Sequence, residues 1–265
     1  LVPMGIGLQP LILKENKSSQ KILVLSVGNY SISLSLKDYI SGNSEKFVKK
    51  NFNKPLPIKD INDELRKILD NNIDNVEINN IMLFQENDFY VLVPNELYSD
   101  NEKKAYLKYT TQTIEDDFIA VDNLDSLQIK NVYIPFVNIN NLLVELFNNI
   151  DYFHFNTELI NKIYNNRDKQ EFFVYVDNSK IKILVFDKEA LRFFNSYEVE
   201  NSTDIIYFIL LVMKENNLQP EKAVVNYIID YIYDDLEDIS KNFLDNYKIF
   251  NENFEVDYLH SWWGL

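Results

Sequence analysis

The alternation of hydrophobic and polar residues predicts a β-hairpin near the start of the chain. Ile32, Leu34 and Leu36 alternate with serines at positions 31, 33 and 35, a period of two that is typical of a half-buried strand. A strand predicted at 22–26, apolar except for Ser26, precedes this strand. The Gly28-Asn29 pair between the two runs favours a tight turn.

The remaining pattern places the same order of elements in both halves of the chain. After the hairpin it predicts a strand at 45–51, a helix at 60–70 and a strand at 77–84. In the second half it predicts strands at 172–176, 180–186 and 191–199, a helix from a cap at Ser202 or Thr203 to 215, a strand at 223–229, a helix at 234–245 and a strand at 247–250. Asn216-Asn217 and Pro220 end the first of these helices. The repeated order indicates two related units.

Extra elements separate the two copies. The pattern predicts strands at 88–93, 118–122 and 131–135 and helices at 101–109, 138–147 and 156–164, the last two with an asparagine as the cap. We therefore predict an extension at 1–10, a first domain at 11–165 with insertions at about 85–130, a second domain at 166–258 and a tail at 259–265. Three antiparallel strands, a helix, a strand and a helix, occurring twice, predict an α/β protein with mixed sheets and the ribonuclease-H-like fold that is duplicated in actin-like proteins.

Composition narrows the classes of function. The formal net charge of -15 disfavours nucleic acid and anionic membrane surfaces as partners, and it is compatible with a basic protein partner. The longest apolar run, 205–213, is too short to span a bilayer, which takes roughly 18 or more residues. The chain has no cysteine, which excludes disulfides and thiolate metal sites. We predict a cytoplasmic protein without a signal peptide.

Glycine is scarce, and its scarcity bears on nucleotide binding. The five glycines are at 5, 7, 28, 42 and 264, so none lies between 43 and 263. A phosphate-binding loop needs backbone amides to approach the anion closely, and a Cβ usually prevents this approach. A P-loop and a dinucleotide-binding fingerprint are therefore both absent from the sequence.

Four stretches resemble a known bacterial family, domain of unknown function 3822. They are 21–35, "DFYVLVPNELYSDNEKKAYLKY" at 88–109, "NVYIPFVNINNLLVELF" at 131–147 and "LRFFNSYEVENSTDIIYFILLVMKENNLQPEK" at 191–222. The resemblance covers about 11–258. It implies an actin-like, two-domain ATPase-type fold, and the family has no assigned activity.

The actin-like resemblance identifies two turns as the positions where an ATPase of this class would grip phosphates. Such an ATPase has a carboxylate in the first hairpin that organises Mg²⁺, and glycines in both turns. The first turn here contains Ser26 at the acidic position, followed by Gly28 and Asn29. The second turn is Asp177-Asn178-Ser179 and has no glycine. Both are also ordinary turn sequences, so we interpret these six residues as a vestigial phosphate site.

The chain also departs from the family after the predicted helix at 202–215. Asn226-Tyr227 stands where the family tends to have Ser-Gly, in a region that abuts adenine and ribose in actin-like ATPases. On this basis a tyrosine at this position disfavours an open nucleotide pocket. The resemblance and this departure together predict an actin-like fold that does not bind or hydrolyse ATP.

Other candidate groups have structural explanations. His154 is predicted to be a hydrogen-bonded histidine at a strand end, and with His260 as the second histidine a histidine-rich metal site is excluded. The acidic clusters at 115–117 and at 230, 234 and 235 lack the spacing of a calcium loop. Trp262 and Trp263, in the tail, either dock onto the chain or bind a partner.

Three hypotheses for function follow. The first is a non-catalytic actin-like pseudo-ATPase, a protein-interaction scaffold without cofactor or metal. The second is an ATP-binding protein or slow ATPase that uses magnesium and asparagine-rich turns. The third is an acidic adaptor for a basic protein partner.

Overall fold

The structure is a computed structural model, and it describes residues 21–250 except 39–40, 42, 74–75, 109, 112–115, 148–149 and 169–170. The predicted extension at 1–10, Glu115, His260 and the Trp262-Trp263 tail lie outside the described residues. No helix among the described residues is both long enough and apolar enough to cross a membrane. The predicted domain limits stay predictions.

The first half forms a five-stranded sheet with the order β3-β2-β1-β4-β8. Its elements are β1 Lys21–Gly28, β2 Ser31–Asp38, β3 Ser44–Asn51, α1 Ile58–Asn72, β4 Ile78–Glu86, α3 Val137–Leu146, β8 Asp151–His154 and α4 Phe155–Asn166. Strand β2 is antiparallel to β1 and β3, whereas β4 is parallel to β1 and β8. This is the order and polarity of a ribonuclease-H-like sheet.

The second half repeats this sheet with the order β11-β10-β9-β12-β13. Its elements are β9 Phe172–Val176, β10 Lys180–Asp187, β11 Ala190–Glu198, α5 Ser202–Glu215, β12 Val225–Ile229, α6 Leu236–Phe243 and β13 Tyr247–Ile249. The strand directions match those of the first sheet. The predicted duplication is therefore confirmed.

An insertion between β4 and α3 forms a third, antiparallel sheet. It contains β5 Tyr90–Pro94, α2 Lys103–Leu107, β6 Ala120–Leu124 and β7 Ile129–Tyr133, in the order β5-β7-β6. Asp122 of β6 accepts hydrogen bonds from the backbone amide of His154 and from the Thr157 hydroxyl, at 2.7 and 2.8 Å. These bonds fix the start of α4 to the inserted sheet.

Helix α4 lies in an apolar cluster that joins the inner faces of the two large sheets. Ile160 and Ile163 of α4 pack there with Val24 of β1, Phe173 of β9 and Leu184 of β10. The outer face of the first sheet packs on α1 and α3, and the outer face of the second on α5 and α6. The two halves are thus held together by a shared hydrophobic core in addition to their polar contacts.

The serine face of β2 differs from the sequence expectation. The alternation predicted a half-buried strand, but both faces are buried, with Ser33 7% and Ser35 0% exposed. Ser33 pairs with Ser26 of β1 and with Lys49 of β3, on the face of the sheet that turns toward the second half. Tertiary packing therefore covers a face that sequence alone assigns to solvent.

Three predicted helix caps are wrong. The cap of α5 is Asn201, whose side chain accepts from the Asp204 amide at 3.1 Å, so Ser202 begins the helix instead. The cap of α4 is His154 and not Asn156. Helix α3 begins at Val137, which places Asn138 inside its first turn.

The burial of α4 predicts a large effect on stability from one substitution. Ile160→Ala removes a fully buried side chain between the sheets, and we expect the free energy of unfolding to fall by about 2 to 5 kcal/mol. Urea denaturation measures this loss. Ile232→Ala is the matched control, because Ile232 is 71% exposed and its loss is expected to change stability by less than about 0.5 kcal/mol. Equal effects would contradict a shared core around α4.

Candidate functional site

The structure brings the two predicted turns together at the carboxyl ends of β1 and β9. The Lys180 ammonium of the second half lies 5.7 Å from the ring centroid of Tyr30 in the first turn. The Asn178 side-chain amide of the second turn lies 3.5 Å from the Phe52 carbonyl oxygen of the first half. This is the arrangement expected of the phosphate-binding turns in an actin-like protein.

Gly28 is needed for close packing and not for a left-handed turn. It is the last residue of β1, so the loop is Asn29-Tyr30, one residue later than predicted. A Cβ at Gly28 would lie 3.2 Å from the Glu86 Cβ and 3.3 Å from the Glu86 carbonyl oxygen. The glycine therefore lets β1 and the end of β4 approach closely.

Asn29 ties the first turn to its own half of the molecule. Its side-chain amide donates to the Leu56 carbonyl at 2.9 Å, and its carbonyl oxygen accepts from the Leu56 amide at 2.8 Å. Asn29 and Asn178 do not have positive φ, whereas Asn217, which follows α5, has φ 56°. Asparagine thus replaces glycine at a helix end in this protein, but not at these two turns.

The second turn is stabilised by its own side chains. The Asp177 carboxylate accepts from the Asn178 amide at 2.7 Å, and the Asn178 carbonyl accepts from the Tyr233 hydroxyl at 2.7 Å. The Ser179 carbonyl accepts from the Val199 amide at 3.0 Å. Since the Asn178 amide already has a partner, it is not free to bind a phosphate oxygen.

Ser26 lies in a row of inward-facing residues that ends in a lysine. Register places Lys49 of β3 beside Ser33 of β2, and Ser33 beside Ser26 of β1. The Lys49 side chain crosses to the second half, where its ammonium pairs with Asp230, which follows β12, and lies 3.8 Å from Asp177. A cation of the protein itself therefore lies close to the position of the metal-organising group.

A second lysine crosses in the opposite direction. The ammonium of Lys182, on β10, pairs with the carboxylate of Glu86 at the end of β4. It also lies 4.7 Å from the ring centroid of Phe155 and 5.2 Å from that of Tyr175. The Tyr175 hydroxyl donates to Asp230 at 2.8 Å. Two ammonium groups, on lysine side chains that are 17% and 3% exposed, thus face three carboxylates across the interface; we call these five residues, Lys49, Lys182, Glu86, Asp177 and Asp230, the lysine–carboxylate network.

Burial and crowding change the protonation of this network. Burial, together with the neighbouring Glu86 and Asp230 carboxylates, raises the pKa of Asp177 to about 6. Burial opposes the charged form of Lys49 as well, but Asp230 and Asp177 outweigh it and raise its pKa. The two carboxylates that pair with Lys49 therefore have different environments. Asp177 is more deeply buried than Asp230, and it faces the negative charges of Glu86 and Asp230 in addition to Lys49.

The space left between the turns is small. A cavity of about 160 Å³ is bounded by Gly28, Asn29, Glu86, Asp177 and Lys180, among other residues. A larger groove of about 1020 Å³ lies at the amino ends of β9 and β12, at the opposite end of the second sheet from the turns. The larger groove therefore does not belong to the candidate site.

Two other sequence interpretations change in the structure. Asn226 and Tyr227 lie inside β12 and are fully buried; the Tyr227 hydroxyl is 3.0 Å from the Ser240 hydroxyl on the outer face of the sheet. Tyr227 therefore does not act on a nucleotide pocket in the way the sequence suggested, because its hydroxyl contacts α6 on the outer face of the sheet, away from the cleft. Asp230, which the sequence groups with Asp234 and Asp235 in one acidic cluster, belongs instead to the lysine–carboxylate network; helix α6 begins at Leu236.

The prediction for His154 is confirmed. His154 ends β8 and is fully buried, and its Nδ1 accepts from the Asn156 amide while its Nε2 lies 3.1 Å from the Asn87 carbonyl oxygen. Burial lowers the pKa of His154 to about 3, which keeps the ring neutral. Within the described part of the chain, no three His, Asp or Glu residues are grouped so that they could hold a metal ion.

Sequence reasoning missed Lys49, Lys182 and Glu86, although a signal was present. On four central strands the inward-facing residues are apolar in the shared core and polar near the turns. Inward-facing Phe84 is followed by Glu86 on β4, and inward-facing Leu184 on β10 is followed by Lys182 in the direction of the turn. A charged residue in phase with buried positions of a strand indicates a pairing partner across an interface. The identity of that partner depends on how the two halves dock.

Residues 12–247 match the family described as "Protein of unknown function (DUF3822)". The chain belongs to the DUF3822 family. This confirms the predicted membership over most of the chain. Among curated proteins, no sequence matches the chain.

Solved structures show that this DUF3822 chain has an actin-like ATPase fold. A Bacteroides thetaiotaomicron protein with an actin-like ATPase fold and unknown function is 18% identical and has a TM-score of 0.79, covering 96% of this chain and 100% of its own. The PilM–PilN type IV pilus biogenesis complex has 9% identity and a TM-score of 0.54, covering 91% and 94%. The ethanolamine utilization protein EutJ from Carboxydothermus hydrogenoformans has 8% identity and a TM-score of 0.50, covering 86% and 83%. At these identities the likeness establishes the fold alone.

The Lys182–Glu86 pair predicts a strong, partner-dependent effect on stability. Lys182→Met leaves the Glu86 carboxylate, whose side chain is only 18% exposed, without its ammonium partner, and we expect a loss of about 3 to 5 kcal/mol. Adding Glu86→Gln removes the unpaired charge and should recover part of that loss, as a double-mutant cycle in urea measures. Lys241→Met, which removes an exposed pair with Glu237, is the control and should have little effect. Additive losses from the two substitutions would contradict a direct pair.

The raised pKa of Asp177 predicts a pH-dependent term in stability. A folded-state pKa of about 6 against roughly 3.9 in the unfolded chain gives stability that is fully present below about pH 4 and is lost as the pH rises through 6. Asp177→Asn keeps an oxygen that accepts from the Asn178 amide but removes this loss. The stability of the variant relative to the parent should therefore rise by about 2 kcal/mol between pH 4 and pH 7.

Chemical denaturation at a series of pH values tests this. Asp63→Asn, at an exposed position on α1, controls for removal of one carboxylate from the net charge. A difference between Asp177→Asn and the parent that stays constant with pH, or falls as the pH rises, would show that Asp177 is ionised without penalty in the folded protein.

Proposed function

We propose that this DUF3822 protein is a non-catalytic, actin-like pseudo-ATPase that serves as a protein-interaction scaffold in the cytoplasm. The observation that carries the proposal is the crossing of Lys49 to Asp230 and Asp177. In an ATPase of this class, carboxylates at the cleft organise Mg²⁺. Here an ammonium group of the chain itself neutralises them, so the two halves are joined without a ligand.

The size and charge of the cleft support the same proposal. The cavity between the turns measures about 160 Å³, whereas sites for drug-sized ligands usually measure roughly 300–1,000 Å³. Glu86, Asp177 and Asp230 would face the phosphates of a nucleotide, and they already share the two lysines. A triphosphate would have to displace these ion pairs and would leave carboxylates whose side chains are less than a fifth exposed without partners.

A scaffold role has a parallel among proteins of this fold. The PilM–PilN structure is named as a type IV pilus biogenesis complex, so one protein of similar fold takes part in an assembly. For the present chain the net charge of -15 favours a basic partner, which the negative field would attract at long range. This makes the adaptor hypothesis a more specific form of the scaffold proposal.

Thermal unfolding with and without about 5 mM Mg-ATP tests the proposal. A ligand present at 100 times its dissociation constant would add about 2.7 kcal/mol, which for a protein of this size raises the melting temperature by about 2 to 4 °C. We expect no shift with Mg-ATP, and none with the controls GTP and AMP. A shift with Mg-ATP alone that disappears in Asp177→Asn would overturn the proposal and make the two turns a working nucleotide site.

A further inference from the structure

Strand β11, Ala190–Glu198, is an edge of the second sheet with an open side. It pairs with β10, and among the described residues no strand pairs with its other edge. All of its residues are exposed or half-buried, and none is fully buried. An edge of nine residues presents unpaired backbone groups that can pair with another strand.

The direction of the free backbone groups can be assigned. The Val199 amide donates to the Ser179 carbonyl at 3.0 Å, so from Phe193 to Val199, on one side of the pairing irregularity, the odd-numbered residues direct their amides toward β10. The Ser196 amide does not donate to β10; it donates to the Asn195 side-chain oxygen at 2.9 Å. Phe194 and Ser196 therefore direct their amides and carbonyls to the open side.

The equivalent edge of the first sheet is protected, whereas β11 is not. Strand β3 carries four charged residues, Glu45, Lys46, Lys49 and Lys50, and lysines on an edge oppose pairing with other chains. Strand β11 has Arg192 and Glu198 near its two ends and three aromatic residues between them. The pairing of each strand contains one irregularity, so irregular pairing does not distinguish the two edges. The number of charged residues does.

The order of residues on β11 is self-complementary. Arg192 and Glu198 are equally distant along the chain from Asn195, and so are Phe193 and Tyr197. In an antiparallel pair of two identical strands centred on Asn195, each arginine would lie opposite a glutamate and each phenylalanine opposite a tyrosine. Opposite charges and aromatic residues are the favourable cross-strand pairs.

We propose that β11 is a homodimerisation edge, which pairs antiparallel with β11 of a second copy about a two-fold axis at Asn195. The backbone amides and carbonyls of Phe194 and Ser196 in one copy form hydrogen bonds with those of the same two residues in the other copy. The Ser196 amide then no longer donates to the Asn195 side chain, so the two Asn195 side chains can contact each other. The Arg192 side chain lies at the pairing irregularity of β11, half-exposed and 3.9 Å from Asp187, within reach of a new partner. The two sheets become one sheet of ten strands.

The aromatic residues extend an existing cluster in this arrangement. The Tyr197 ring stacks on Phe208 of α5, with centroids 4.3 Å apart, and Phe208 contacts the ring of Tyr207, which is 60% exposed. Phe193 of the second copy would pack beside Tyr197 on this side of the sheet. The inference does not depend on the proposed function, because the lysine–carboxylate network takes no part in it.

Sedimentation velocity of the full chain, from low micromolar concentration upward, tests the proposal. The parent should form a dimer. Arg192→Glu and Glu198→Arg should each weaken dimerisation by at least about tenfold, because each places like charges opposite one another twice. An equimolar mixture of the two variants should regain the dimer, since every glutamate then meets an arginine. Arg66→Glu, at an exposed position on α1 paired with Glu145, is the matched control and should dimerise like the parent.

Three outcomes would overturn the proposal. A parent that stays monomeric over the whole concentration range would show that β11 does not pair with itself. A dimer unaffected by both charge reversals would show that another surface joins the copies. Loss of the dimer in both variants without recovery in the mixture would show that Arg192 and Glu198 do not face each other; circular dichroism of each variant establishes that it is folded. Because Glu198 also borders the small cavity, the recovery in the mixture is the deciding measurement.

Discussion

The pairing of buried charges across the two halves is the constraint on which this molecule depends. Lys182 is 3% exposed and pairs with Glu86, while Lys49 reaches Asp230 from the opposite direction. A buried charge that loses its partner destabilises the fold, because the protein interior does not replace the hydration that the charge lost on burial. The halves must therefore keep the arrangement that satisfies both lysines, and this arrangement holds the two turns against each other.

The interface between the two halves has an apolar part and a part formed by ion pairs. Around α4 the inner faces of both sheets are hydrophobic, and toward the turns the same faces become charged. The apolar part supplies non-directional adhesion, whereas the charged part accepts one alignment of the halves, because each ammonium needs its own carboxylate. In an actin-like ATPase the cleft is where a ligand joins the halves; in this chain side chains make that connection.

The fold and the site lead to separate conclusions. The strand order of both sheets and the TM-score of 0.79 to a protein of the same architecture establish an actin-like fold, but one fold supports many functions. The scaffold proposal rests on Lys49 and on the small cavity, which are features of the site. The edge of β11 is a third, independent feature, since it depends on residue order along one strand.

The sequence alone determined the elements, their repeated order, the family and the two turns, because strand alternation, helix periodicity and turn residues are local properties. It left open which strand faces are covered: the serine face of β2 and the position of Tyr227 were both misjudged, since the docking of the halves and of α6 decides them. It also gave no partner for Lys49, Lys182 or Glu86. Their pairing joins residues more than ninety positions apart, and only the tertiary structure brings such residues within the few ångströms over which an ion pair acts.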